Sequence, residues 1–145
     1  MRSRWESVKP INTYGIDTYC FYEKLSNGQV LGVYFQHDCE KEFNCAVTIQ
    51  DSKEECDVWK GQGDIIKITG RCGIEGLIQA YRIIKWFITN RLPNDFELRI
   101  HGYDKRGSAY RYLTRLGFKV DVKEVSSYLF EKSYHYIYRR ELIVS

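Results

Sequence analysis

The sequence predicts a mixed α/β (α+β) domain built on a mostly antiparallel sheet flanked by helices. Three features predict it. β-forming residues gather in runs joined by tight-turn signals over the first 50 residues, two strand–helix units follow, and two further β-rich runs close the chain. Aromatic usage agrees, since 12 Tyr, 7 Phe and 3 Trp in 145 residues suit pleated, half-buried surfaces and leave rings for a binding surface. One domain spanning 1–145 is the expectation at this length.

Taken in order, residues 1–12 read as a lead-in, with Pro10 closing any short helix that begins near Arg4. Residues 14–24 form the first strand, Ser26-Asn27-Gly28 a tight turn and residues 29–35 the answering strand. A third strand over 43–50 follows the polar turn 37–42. The polar stretch 51–64 has room for a short helix around 53–59. Ile65–Thr69 is a short apolar strand, expected to be central, and apolar positions at Leu77, Tyr81, Ile84 and Ile88 predict a helix over 74–90. Residues 96–101 alternate apolar and polar as a half-buried strand. Asp104 is positioned to cap a helix through Leu116, and Gly117 to end it. Residues 118–125 and 127–144 finish as two strands joined by a turn near 131–133, with Tyr134, Tyr136 and Tyr138 sharing one face.

Charge is uneven along the chain. Residues 1–64 carry 7 Lys/Arg against 11 Asp/Glu, and residues 65–145 carry 15 against 8. The basic half suits an anionic ligand, either a nucleotide-like cofactor or nucleic acid. Arg82, Lys85, Arg99, Lys105, Arg106, Arg111, Arg115 and Lys119 lie among tyrosines, and Arg111 and Arg115 would share a helix face at i, i+4. No RNP, KH or helix-turn-helix pattern accompanies them. The cysteines Cys20, Cys39, Cys45, Cys56 and Cys72 lack any C-x-x-C pair, so no metal is expected. No apolar run approaches the roughly 20 residues a membrane-spanning helix needs. Met1–Trp5 is basic without the apolar core of a signal peptide, so a cytoplasmic protein without a membrane partner is expected.

The stretch richest in chemistry is Thr69-Gly70-Arg71-Cys72-Gly73-Ile74-Glu75-Gly76, between the short apolar strand and the long helix. Glycines admit close backbone approach to an anion, and the first amides of a helix have no partner within it. Farther on stands Ala109-Tyr110-Arg111-Tyr112-Leu113-Thr114-Arg115-Leu116-Gly117-Phe118, and residues 134–142 read YHYIYRREL. Together these segments resemble the GCN5-related N-acetyltransferase (GNAT) superfamily. The resemblance implies a GNAT-like fold with its N-terminal helices reduced, acetyl-CoA as cofactor, and acetyl transfer to an amine. It assigns the cofactor's pyrophosphate to Ile68, Arg71, Cys72, Gly73, Ile74, Glu75 and Gly76, with Arg106 standing where the family has an Asn. It makes Tyr112 the general acid, with Tyr110 as second candidate. His101, at a strand end with a suitable unperturbed pKa, is the candidate base. Glu75 sets a carboxylate where the family's turn has a small residue. The alternative expectation is a catalytically inactive GNAT-fold binding module for a protein or polyanion such as nucleic acid.

Overall fold

The computed structural model describes residues 4–13, 15–58, 65–66, 72–125 and 131–140. After a 3-10 turn at Arg4–Ser7 come β1 (Ile11–Thr13), β2 (Ile16–Lys24), β3 (Val30–Cys39), β4 (Glu42–Gln50), α1 (Lys53–Val58), β5 (Ile65–Ile66), α2 (Cys72–Asn90) and β6 (Glu97–Tyr103). The chain then forms α3 (Asp104–Ala109), a 3-10 helix over Tyr110–Leu116, β7 (Lys119–Glu124) and β8 (Lys132–Arg139). The fold is mixed α+β with a mostly antiparallel sheet. Its strands run β1-β2-β3-β4-β6-β8-β7, and β5 attaches to β4.

The turn between β2 and β3 forms as its residues dictate. Gly28 adopts φ 89°, and the Asn27 side chain accepts from the Gln29 amide at 2.9 Å, so the reversal satisfies its own polar groups. β2, β3 and β4 then pair antiparallel. β4 and β6 pair in parallel, but only from Glu42 with Glu97 to Cys45 with Ile100. Beyond that point β4 pairs with β5 through Thr48 and Ile49, and β6 continues along β8. The two parallel strands therefore part at their carboxyl ends.

Strand alternation sorts the two faces of the sheet. Phe21, Leu31, Val33, Phe35, Val47, Ile49, Leu98 and Ile100 point into one core, against Ala80, Ile83, Ile84 and Phe87 of α2. The Phe35 and Phe87 rings stack 3.9 Å apart. Each such side chain, when fully buried, contributes about 1.5–3 kcal/mol. Arg140 closes the far end of α2 by donating to the carbonyls of Leu92 and Ile88 and to Asn94 Oδ1. On the opposite face α1 covers Cys20 and Tyr34 with Cys56.

Several boundaries differ from expectation. The helix expected through Leu116 tightens at Tyr110 into 3-10 geometry, which brings residues three apart into line. Tyr110 and Leu113 thereby face the core together, both 0% exposed. Arg111 and Arg115, four apart, are consequently rotated by about a third of a turn and do not share a face. Asp104 is the first helical residue and Tyr103 holds the cap position, without a side-chain cap bond. Gly117 ends the helix at φ 103°, as its sequence position predicts. β3 continues through His37 to Cys39 with a register irregularity, so the turn before β4 is shorter than expected. β8 begins at Lys132, so Lys132 and Ser133, expected in the final turn, belong to the strand; the Val125 amide donates to the Glu131 carbonyl at 2.9 Å, and residues 126–130 lie outside the described residues. The central places in the sheet belong to β4 and β6, and Ile65–Ile66 flank β4; residues 67–69 of that expected strand lie outside the described residues. Tyr134 and Tyr136 are buried on one face as expected, and the Tyr136 hydroxyl donates to the Gly107 carbonyl at 2.6 Å.

Candidate functional site

The amino end of α2 lies over the carboxyl end of β4. Gly76 makes this approach possible, since a Cβ there would run into Ile49 Cδ1 and come within 3.8 Å of Leu25 Cδ1. Gly76 therefore serves helix–sheet packing. Gly73, expected in the turn, is already inside the helix, which begins at Cys72. The N–H groups of the first four helical residues have no partner within the helix, and here they belong to Cys72, Gly73, Ile74 and Glu75. Ile68 and Arg71 lie outside the described residues, and for Cys72, Gly73 and Arg106 only the backbone is placed.

Glu75 does not project along the helix axis as an isolated carboxylate. Its two oxygens accept from the Ser26 amide at 3.2 and 3.1 Å, and Oε1 also accepts from the Ser26 hydroxyl at 2.7 Å. The negative group in the first turn thus joins α2 to the β2–β3 turn, with the helix dipole adding to its stability. Beside it Ile74 is 71% exposed, and one turn on Ile78 is 49% exposed.

Tyr112 lies on the same side of the sheet as α2. Its hydroxyl donates to the Leu77 carbonyl at 2.8 Å, and its ring lies 5.2 Å from Tyr81. Tyr110 is 0% exposed and packs edge-on to Tyr136, which makes it a core residue.

His101 lies on the other face, because Leu98 and Ile100 of the same strand point into the core. It is the first residue of β6 past the last pairing with β4. Its Nε2 is 2.8 Å from Ser133 Oγ, and its ring centroid is 4.1 Å from that of His135 and 4.5 Å from that of Tyr103. Burial holds the imidazole below its ordinary pKa, and the neighbouring His135 lowers it further. His101 is therefore biased toward the neutral form that accepts a proton. Register extends the cluster, with His101, His135 and Asp121 opposite one another across β6, β8 and β7. Tyr103, Ser133 and Lys123 form the next row. Sequence reasoning missed Ser133 and His135. Their alternation with Tyr134 and Tyr136 places them on the opposite face, but only the pairing of β8 with β6 brings them to His101.

Tyr112 and His101 thus stand on opposite sides of the sheet, on either side of the place where β4 and β6 part. The expected basic residues are dispersed. Arg99 is held by Glu42 at 2.8 Å and Glu97 at 3.0 Å, while Arg82, Lys85 and Arg115 are exposed on the helical side. Arg111 lies 5.8 Å from the Tyr134 ring centre. Among the described residues no group of three or more His, Cys, Asp or Glu side chains is arranged to hold a metal ion. Cys45 is in the main core, and Cys56, itself on α1, is buried with Cys20 and Tyr34. Among the described residues no helix is long and apolar enough to cross a membrane. Comparison of the chain with protein-family models and with curated proteins finds no match.

Proposed function

We propose that the chain is an acetyl-CoA-dependent N-acetyltransferase of the GNAT type, working in the cytoplasm on an amine acceptor. The observation that carries this reading is the parting of β4 and β6 beyond Cys45 and Ile100, with the amino end of α2 on one side and His101 on the other. Ligands in sheets of this kind favour the carboxyl ends of parallel strands and the helix N-terminus beside them. The residues present fit an anionic cofactor. Amide donors crown α2, and the one carboxylate of its first turn is drawn onto Ser26. Acetyl-CoA, when bound, supplies a thioester activated for attack by an amine.

On this reading the amides of Cys72, Gly73, Ile74 and Glu75 would hold the pyrophosphate, together with Ile68, Arg71 and Arg106. His101 accepts the proton released by the amine. Tyr112 is the proton donor for the leaving thiolate, and to act it must turn its hydroxyl away from the Leu77 carbonyl.

Thermal denaturation with and without cofactor tests the proposal. Acetyl-CoA at a hundredfold excess over its Kd stabilises a fold by about 2.7 kcal/mol, a shift of several degrees. The expected result is such a shift with both acetyl-CoA and CoA. No shift at millimolar concentration overturns the enzyme reading.

A second reading, a GNAT-fold binding module for a protein or polyanion, draws on two observations. The polar groups of Glu75 and Tyr112 are engaged in the fold's own bonds, and Ile74 and Ile78 expose apolar surface side by side. Polyanion affinity that does not fall as salt is added would overturn its nucleic-acid form.

A further inference from the structure

The imidazole nitrogen best placed to act as a base is already engaged. His101 Nε2 lies 2.8 Å from Ser133 Oγ, so a hydroxyl stands between that nitrogen and anything approaching over β8. The two residues come from adjacent strands whose register sets Ser133 opposite Tyr103 and His135 opposite His101. We propose that Ser133 is the group that meets the acceptor amine, and that it relays the amine's proton to His101. This rests on the acetyltransferase reading for the identity of the acceptor; the hydrogen-bonded pair itself does not.

The step balances. As the amine nitrogen formed its bond to the acetyl carbon, the C–S bond of the thioester would break and its thiolate would take a proton from Tyr112, which would recover one from water; the amine's N–H bond would break as a new O–H bond formed at Ser133. The original O–H bond of Ser133 breaks as Nε2–H forms on His101. The product is an imidazolium, which returns its proton to water. The relay requires the neutral tautomer with hydrogen on Nδ1, so that Nε2 accepts from the serine hydroxyl.

The surroundings favour a neutral imidazole at rest. Charged and titratable groups on this face of β6 are Glu97, Arg99 and Tyr103; on β8 they are His135 and Arg139, and on β7 Lys119, Asp121 and Lys123. Arg99 is held by Glu42 and Glu97, and Lys123 lies 3.5 Å from Asp121. β4 presents Ala46 and Thr48 past the parting, neither of them charged. The nearest ring on β8 is His135, at 4.1 Å, and a second imidazole opposes protonation of the first.

The test combines nitrogen NMR of the histidine side chains in the full chain with acetyl transfer measured against pH. Wild type is expected to show His101 as the Nδ1–H tautomer, and S133A to lose that preference. S133A is expected to lower kcat about 100-fold, as H101Q does, with S133T restoring much of it. His135→Asn should move the His101 titration, and the acid limb of the rate profile with it, to higher pH. An Nε2–H tautomer in wild type, or an S133A variant with unchanged kcat, overturns the relay alone. Absence of acetyl transfer from wild type overturns the acetyltransferase reading, and the tautomer still decides the pair.

Discussion

Replacing Glu75 by alanine removes a carboxylate that accepts from both the amide and the hydroxyl of Ser26, at 3.1 and 2.7 Å for the shorter contacts. Hydrogen bonds to a charged group are worth about 1.5–3 kcal/mol when shielded. Ser26 is exposed and Glu75 half-buried, so solvent screening places this set at the lower end. A carboxylate in the first turn adds about 0.3–1 kcal/mol through the helix dipole, and alanine's better helix propensity returns a few tenths. The expected loss is about 1.5–2 kcal/mol, or a Tm lowered by about 3–8 °C in a domain of this size. Urea denaturation of wild type, Glu75→Ala, Ser26→Ala and the double variant measures the coupling, expected at about 0.5 kcal/mol or more because Ser26→Ala leaves the amide donor in place. Additivity within about 0.3 kcal/mol would refute the clamp. Cofactor affinity gives an independent check. A carboxylate that merely repelled an anion would, once removed, strengthen CoA binding. A clamp that positions α2 predicts no gain, and a tighter complex with Glu75→Ala would sink that account.

Other consequences follow from packing and titration. Gly107→Ala should cost about 2–3 kcal/mol or more despite the roughly 1 kcal/mol that alanine gains in a helix. Its Cβ would sit 2.6 Å from the Gly102 carbonyl oxygen and 2.5 Å from Tyr134 Cδ1, and the backbone of β6 cannot yield. Gly76→Ala meets the terminal methyl of Ile49 instead; it should be the milder of the two in urea, and the reverse order would refute the packing argument. Folding depresses His101 below its ordinary 6.5, so the unfolded chain binds that proton more readily. Stability present above pH 6.5 should therefore fall as pH drops below it. His101→Gln should flatten that part of the curve, and an unchanged slope would count against the assignment. Burial pushes the Cys56 thiol up to about 11, so iodoacetamide at about pH 8 should spare it in the folded chain and modify it in urea. Rapid native labelling at Cys56 would show that the packing of α1 on the sheet does not shield it.

Much of the fold is legible in local pattern. The Asn27–Gly28 reversal, the two alternating strands at β6 and β8, the long apolar periodicity of α2 and the left-handed Gly117 each follow from residues within a few positions of one another. Local chemistry decides such features, because turn geometry and strand alternation depend on near neighbours. Boundaries were less legible where packing competes with propensity. The stretch 104–116 carries a helical pattern, yet burying both Tyr110 and Leu113 in the core draws its second half into the tighter 3-10 form.

The site divides in the same way. Sequence alone singled out Glu75, Gly76, His101 and Tyr112, along with the uneven charge that favours an anion. Only the tertiary structure decided what each side chain meets: Ser26 for Glu75, Ile49 for Gly76, Leu77 for Tyr112, and Ser133 with His135 for His101. Those partners lie 49, 27, 35, 32 and 34 positions away in the chain. Their approach depends on strand register and on where β4 and β6 part, which are properties of the whole sheet rather than of any one segment.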